Sequence, residues 1–338
     1  MNSGSENPER WTDTAPGRFP SEFDPDIYRA LNSIVERMGN AEARAHYRET
    51  GRPGGWRANA LATREDLVAI IADAPAVLEI GHPEQRLLPA GDRTALLPPS
   101  ANPGQDGPLF DVALSSHQIS AVPDFVEHLR QVADSLKPGG LYVAMIPDKR
   151  YCLDHFQPAT TIGAVLDAYR REDAVSSWRA QVDSLTLETH NDPLRHWLGD
   201  HGSVRDVTPD DIAVALATAE QREEGAPEAA AACRTWFFTP SSFRTIVWLL
   251  RDVGLCVFEP LRVYPTLRDS SEFWAVLRKP YREEPQTARA DEEADAGDDG
   301  TPVLPYDAWA ASPGIWSAAQ ASYGRTGVPS SPASASSS

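Results

Sequence analysis

Three short, uninterrupted apolar runs constrain this chain more than anything else in it: AVLEIG at 76–81, FDVALSS at 110–116 and LYVAMIP at 141–147. Each has strand length, lacks polar alternation and ends at a turn signal, which is how a strand buried on both faces reads. Helical patterns lie between them. In TREDLVAIIADA (63–74), Thr63 is placed to cap and acids fill the first turn. In PDFVEHLRQVADSL (123–136), Val126, Leu129, Val132, Ala133 and Leu136 share one face. Strands alternating with helices predict an α/β fold with a doubly wound, mostly parallel sheet and right-handed crossovers. Further on, TWFFTPSSFRTIVWLLRDVG (235–254) predicts a short strand and a helix capped by Thr239, with Pro240 at the first helical position. GLCVFEPLRVY and SEFWAVLRK predict a closing antiparallel strand pair.

The rest of the chain divides around that domain, which spans about 62–280. Residues 21–60 predict a small helical N-terminal module, with Ile27, Leu31, Ile34, Val35 and Met38 at helical spacing and Gly51 as a helix stop. A polar, mostly helical insertion occupies about 155–232. Residues 1–20 and the tail 281–338, which carries DEEADAGDDG, are expected to be disordered because they hold too little apolar surface to offset chain entropy. With 31 Lys+Arg against 49 Asp+Glu, the net charge is −18, which argues against a nucleic-acid partner. Cys152, Cys233 and Cys256 have no CxxC spacing, no run approaches the ~20 apolar residues of a membrane helix, and the start lacks a signal-peptide core. A cytoplasmic protein with no membrane partner is therefore expected.

The order VLEIG, FDVALSS, LKPGG, LYVAMIPD resembles class I S-adenosylmethionine-dependent methyltransferases. SSHQISAVPD, IPDKRYCLDHFQP and TWFFTPSSF resemble more closely a subgroup found in glycan and secondary-metabolite clusters. Phe23, Asp24, Pro25, Tyr28, His46, Tyr47, Gly51 and Arg57 are similar to a short module that accompanies glycan-modifying enzymes. The resemblance implies a Rossmann-like methyltransferase fold, S-adenosylmethionine as cofactor and a small-molecule or sugar substrate. In such a sheet, ligands sit beyond the carboxyl ends of the strands. That rule places Glu79, Gly81, Ser115 and Ser116 as cofactor-binding candidates. His117, Asp148 and His155 become catalytic candidates, the histidines as bases because they titrate near neutral pH. Lys149, Arg150, Asp154, His190 and His196 become substrate-binding candidates, with Asp154 expected to pair with Arg150 across one helical turn.

The chain also departs from the pattern. Only 30 residues separate Gly81 from Asp111, where the fold expects two strands and two helices. RTALLP is one candidate strand, no acid follows it, and the sheet is expected to be shortened after its first strand. Ser120-Ala121 and Ala232-Cys233-Arg234 stand where the subgroup has Glu-His and Asp-x-His. His190, Asp192, His196, Asp200 and His201 match no strong metal signature, and no metal is assigned. The leading expectation is a methyltransferase-like enzyme. The alternatives are an enzyme on the same scaffold that works by acid–base chemistry without S-adenosylmethionine, and a non-catalytic scaffold protein.

Overall fold

The computed structural model describes residues 15–97, 109–171, 178–223 and 233–281. The acidic run of the tail lies outside them. Six strands form one sheet in the order β2-β1-β3-β4-β6-β5. β1 (Val77–Ile80), β2 (Thr94–Leu97), β3 (Phe110–Ser116) and β4 (Leu136–Pro147) are mutually parallel. β5 (Glu259–Tyr264) and β6 (Glu272–Arg278) form an antiparallel pair, joined to the parallel part through β4 and β6. This is a mixed sheet of Rossmann-like type, mostly parallel and closed by an antiparallel pair.

Among the described residues, β2 is the one strand between β1 and β3, and a 3-10 turn at Pro83–Gln85 is the one helical element there. The 81–93 connection is close to the shortest crossover, about a dozen residues, that joins parallel strands. It leaves no room for a full helix, so the sheet ends at β2. The shortening follows directly from the chain length available.

The N-terminal module packs α1 (Pro25–Leu31) and α2 (Asn40–His46) around Phe23, Tyr28, Val35, Ala43, Tyr47 and Ala58. Asp24 caps α1 by accepting from the N–H groups of Asp26 and Ile27. The helical run continues through Tyr47–Gly51 and stops at Gly51, as expected. A Cβ there would lie 2.2 Å from the Tyr28 hydroxyl oxygen, so the tyrosine demands a glycine. Residues 15–20 depart from the disorder expected over 1–20. Ala15 and Phe19 are buried against the sheet, because Phe19 finds an apolar face formed by Leu67, Ile71 and Val112.

α3 (Arg64–Ile71) covers one sheet face. α4 (Phe125–Asp134), α5 (Ile162–Arg171) and α9 (Pro240–Asp252) cover the other, and α6 (Trp178–Thr186), α7 (Pro193–Trp197) and α8 (Pro209–Glu223) belong to the insertion. Strand alternation divides β4 between the two cores. Tyr142, Ala144 and Ile146 join Phe125, Phe243 and Phe273, while Leu141, Val143 and Met145 join Leu67, Ile71 and Trp274. Each fully buried phenylalanine contributes roughly 1.5–3 kcal/mol. Two local expectations change. β4 begins at Leu136, before the KPGG turn, because Leu136 pairs with Phe110 across an irregular register. The TWFF segment makes a single bridge, Phe238 to Asp148, instead of a strand.

Candidate active site

The carboxyl edge of the parallel strands carries one polar constellation, formed by His117, Glu272 and Arg64. His117 directly follows β3 and holds a left-handed backbone, φ 59°, which is costly for a residue with a Cβ. Two hydrogen bonds fix it there: its N–H donates to the Met145 carbonyl (2.8 Å), and the Ser120 hydroxyl donates to the His117 carbonyl (2.8 Å). Ser120 stands where the resemblance leads one to expect glutamate, and here its work is on the backbone of His117. The turn aims the ring at Glu272, with Nε2 2.8 Å from Oε2. The His117 side chain stays 44% exposed while that of Glu272 is 9% exposed, so the imidazole bridges a buried carboxylate and open solvent.

Glu272 opens β6, and the antiparallel register sets it opposite Pro147, the last residue of β4. Burial alone would raise its pKa. Hydrogen bonds from His117, Arg64 and Trp274, with the charge of Arg64, outweigh that and hold the carboxyl down at about 2. Arg64, at the start of α3, donates Nε to Oε1 at 2.7 Å and makes a still closer contact to Oε2, and Trp274 Nε1 donates to Oε1 at 2.9 Å. A pocket of about 150 Å³ opens beside Glu272, with Leu61, Tyr264, Ser270 and Trp274 in its lining. Neither Glu272 nor Arg64 stands out in the sequence. The one available signal is an acid that begins an otherwise apolar strand, SEFWAVLRK.

The cofactor-binding expectation meets a different geometry. Both carboxylate oxygens of Glu79 are taken by the loop that follows β1: Oε1 accepts from the Leu87 N–H at 2.5 Å and Oε2 from the Leu88 N–H at 3.3 Å, with Arg86 Nε 3.7 Å away. Ser115 turns into the core, its hydroxyl 2.7 Å from the Tyr142 hydroxyl, which is itself 2.9 Å from His128 Nε2. β2 ends at Leu97, and among the described residues no acid stands at its carboxyl end. Gly81 and half-buried Ser116 do face the open edge; a Cβ on Gly81 would approach nothing closer than Gln118 Nε2 at 3.9 Å. Two of the four expected contacts are thus withdrawn, and the described residues do not form the S-adenosylmethionine cradle expected from the sequence.

The IPDKRYCLDHF segment is also wired differently from expectation. Asp148 is fully buried and saturated. It accepts from the N–H of Arg150 (3.0 Å), from the Arg150 guanidinium (2.6 Å to NH2) and from the Thr266 hydroxyl (2.5 Å). Asp148 therefore pairs with Arg150 two residues on, and leaves no lone pair directed at the crevice for catalysis. Asp154 pairs instead with Arg234, at 2.8 Å from Nε, because the chain turns at 151–157 without forming a helical turn. Burial nevertheless pushes Asp154 up, against the pull of Arg234. Arg234 belongs to the Ala232-Cys233-Arg234 departure, so this replacement supplies the counter-charge of Asp154. Lys149 Nζ donates to the His155 carbonyl at 2.9 Å, and burial pushes its pKa down. Lys149, Arg150 and Asp154 are thus spent on holding the loop.

The loop also brings His155 to His190, His196 and His201. The ring of His155 stacks on His201 at 3.7 Å, and His190 stacks on His196 at 4.2 Å. His190 contributes no free nitrogen, since Nε2 donates to the Asp200 carbonyl (3.0 Å) and Nδ1 accepts from the Asp192 N–H (3.3 Å). His155 and His196 lie together, their ring centroids 5.4 Å apart.

No family model matches this chain, and no curated protein matches it. Among solved structures it is similar to the trans-methyltransferase CalH in complex with SAH. The identity is 13%, the match covers 74% of this chain and 62% of that one, and the TM-score is 0.30. It is also similar to human N-acetylserotonin methyltransferase in complex with SAM, at 12% identity, 64% and 44% coverage, and a TM-score of 0.29. The chain thus spans less than two thirds of the length of either. At this level of likeness, no cofactor, substrate or residue role passes from them to this protein. Among the described residues no helix is long and apolar enough to cross a membrane.

Proposed function

We propose that this protein is an enzyme on a methyltransferase-type scaffold that performs general acid–base chemistry on a small molecule or sugar, with His117 as the base and without S-adenosylmethionine. The observation that carries this reading is the His117–Glu272 hydrogen bond at the mouth of the strand-end crevice, on a strained backbone. Glu272, held at about 2, is ionised at neutral pH. It therefore accepts from His117 Nε2, which also lies 3.2 Å from the Arg64 guanidinium, and the Nε2–H tautomer leaves Nδ1 as the basic nitrogen.

A substrate hydroxyl or amine lying within hydrogen-bond reach of Nδ1 gives up its proton there. The imidazolium that forms is stabilised by Glu272 through Nε2–H, in the manner of a histidine oriented by a carboxylate. Arg64 stays on the carboxylate and fixes its angle. Closure of the 82–88 loop on Glu79 supports the donor-independent reading over methyl transfer.

Activity profiling tests this. The full chain is incubated with a small-metabolite extract, with and without added S-adenosylmethionine, and the mixture is followed by mass spectrometry. The expected result is a metabolite consumed in both mixtures by the wild type and in neither by His117→Ala. Turnover that appears only with added S-adenosylmethionine overturns the donor-independent reading.

A further inference from the structure

We propose that His155, His196 and His201 form a three-nitrogen site for a zinc-class divalent cation. One nitrogen from each lies within 4.8 Å of the others, and the rings come from three separate places: the loop after β4, helix α7, and the turn after it. In sequence these residues match no metal signature, because His155 is 41 positions before His196. Only the folded loop brings the third nitrogen in.

The hydrogen bonds around the rings decide which nitrogens face the centre. His155 Nδ1 lies 2.8 Å from the Arg150 carbonyl, and His196 Nε2 lies 3.0 Å from the His190 carbonyl. A carbonyl only accepts, so both of those nitrogens carry hydrogens. His155 Nε2 and His196 Nδ1 are left as lone pairs. A ligating histidine ordinarily donates its other N–H to a carbonyl or carboxylate in this way, which fixes tautomer and ring angle. The backbone of the third ligand is anchored where the His201 carbonyl accepts from the Thr189 hydroxyl at 2.8 Å. His196 Nδ1 and His201 Nδ1 stand 3.1 Å apart; without a cation His201 Nδ1 donates across that gap, and it gives up this hydrogen when a cation binds. Two nitrogens each ~2.0–2.1 Å from a tetrahedral zinc ion are about 3.3–3.4 Å apart, so the pair needs only a small opening to hold one.

The nearby acids are committed elsewhere. Asp192 caps α7, and Asp200 pairs with Arg195 at 2.8 Å. The donor set is therefore neutral and all-nitrogen, which suits zinc over the oxygen-preferring magnesium and calcium. Three protein ligands leave a fourth position open. His155 and His201 are half-buried while His196 is buried, so that position is reachable from solvent by water or a substrate heteroatom. The site stands independently of the His117 reading.

The test uses the full-length chain without an affinity tag, stripped with chelator, dialysed and titrated with Zn2+ and with Co2+. The expected result is one ion per chain and, for Co2+, the visible absorption of a tetrahedral nitrogen-ligated ion. His196→Ala and His201→Ala should each weaken zinc binding beyond the ~10–100-fold that loss of an outer-shell partner costs. His82→Ala, on an exposed turn, should leave binding unchanged. His155→Gln provides a second route if removal of the buried His196 unfolds the chain, as circular dichroism would show. Substoichiometric zinc after equilibration, or zinc held equally by wild type and a folded His155→Gln/His201→Ala double variant, overturns the site.

Discussion

Replacing Glu272 with glutamine removes one charge and almost no volume, so it isolates what the carboxylate does. The folded protein holds this group at about 2 against an ordinary 4.5. A depressed carboxyl adds stability above its unfolded pKa and loses it as pH falls toward its folded one. A gap of about 2.5 units corresponds to roughly 3 kcal/mol at neutral pH. Arg64 and His117 are more than a third exposed at their side chains, and solvent screens them. About 2 kcal/mol is the better figure. Glu272→Gln should therefore be about 2 kcal/mol less stable than wild type at pH 7 by urea denaturation. The difference should shrink below pH 4.5 and be nearly gone at pH 2–2.5. Titrations that are common to both proteins cancel in the difference. Equal stability at pH 7, or a difference that does not change down to pH 3, would refute the picture of an ionised Glu272 held by three donors.

Three more outcomes follow from the same geometry. His117→Ala should lower turnover by ~10²–10⁴-fold and cost about 1 kcal/mol of stability, because Glu272 keeps two of its three donors; an unchanged rate would remove His117 from the chemistry. Asp148→Asn should act on stability, by roughly 1.5–3 kcal/mol, since it weakens charged hydrogen bonds to Arg150 and Thr266; a loss of turnover without a drop in melting temperature would return Asp148 to the active site. Burial lowers the pKa of His128 to about 4 from 6.5, so stability should fall as pH drops from about 6.5 toward 4, and His128→Phe should make that slope shallower, as urea midpoints across this range would show.

Much of the architecture is legible in the sequence, because uninterrupted apolar runs have few ways to be buried. AVLEIG, FDVALSS and LYVAMIP become neighbouring parallel strands, and the 30 residues after Gly81 limit what can stand between the first two. The site is legible only in part. His117 can be read because it directly follows a buried strand. Glu272 cannot, since its closeness to His117 arises from antiparallel register 155 residues away. Asp148 and Arg150 read as crevice charges because sequence shows their charge but not their partners. Thr266, which completes the burial of Asp148, comes from a loop 118 positions on. The His155–His201 cluster was hidden in the same way, by a loop whose closure depends on Arg234.

The most direct measurement of the central claim is a calorimetric titration of the full chain with S-adenosylmethionine and, separately, S-adenosylhomocysteine. With Glu79 closed by its own loop and Ser115 turned into the core, the account predicts no saturable heat with either compound up to millimolar concentration. Stoichiometric binding of either in the micromolar range would contradict it and return the protein to methyl transfer, with His117 as the base that deprotonates the acceptor.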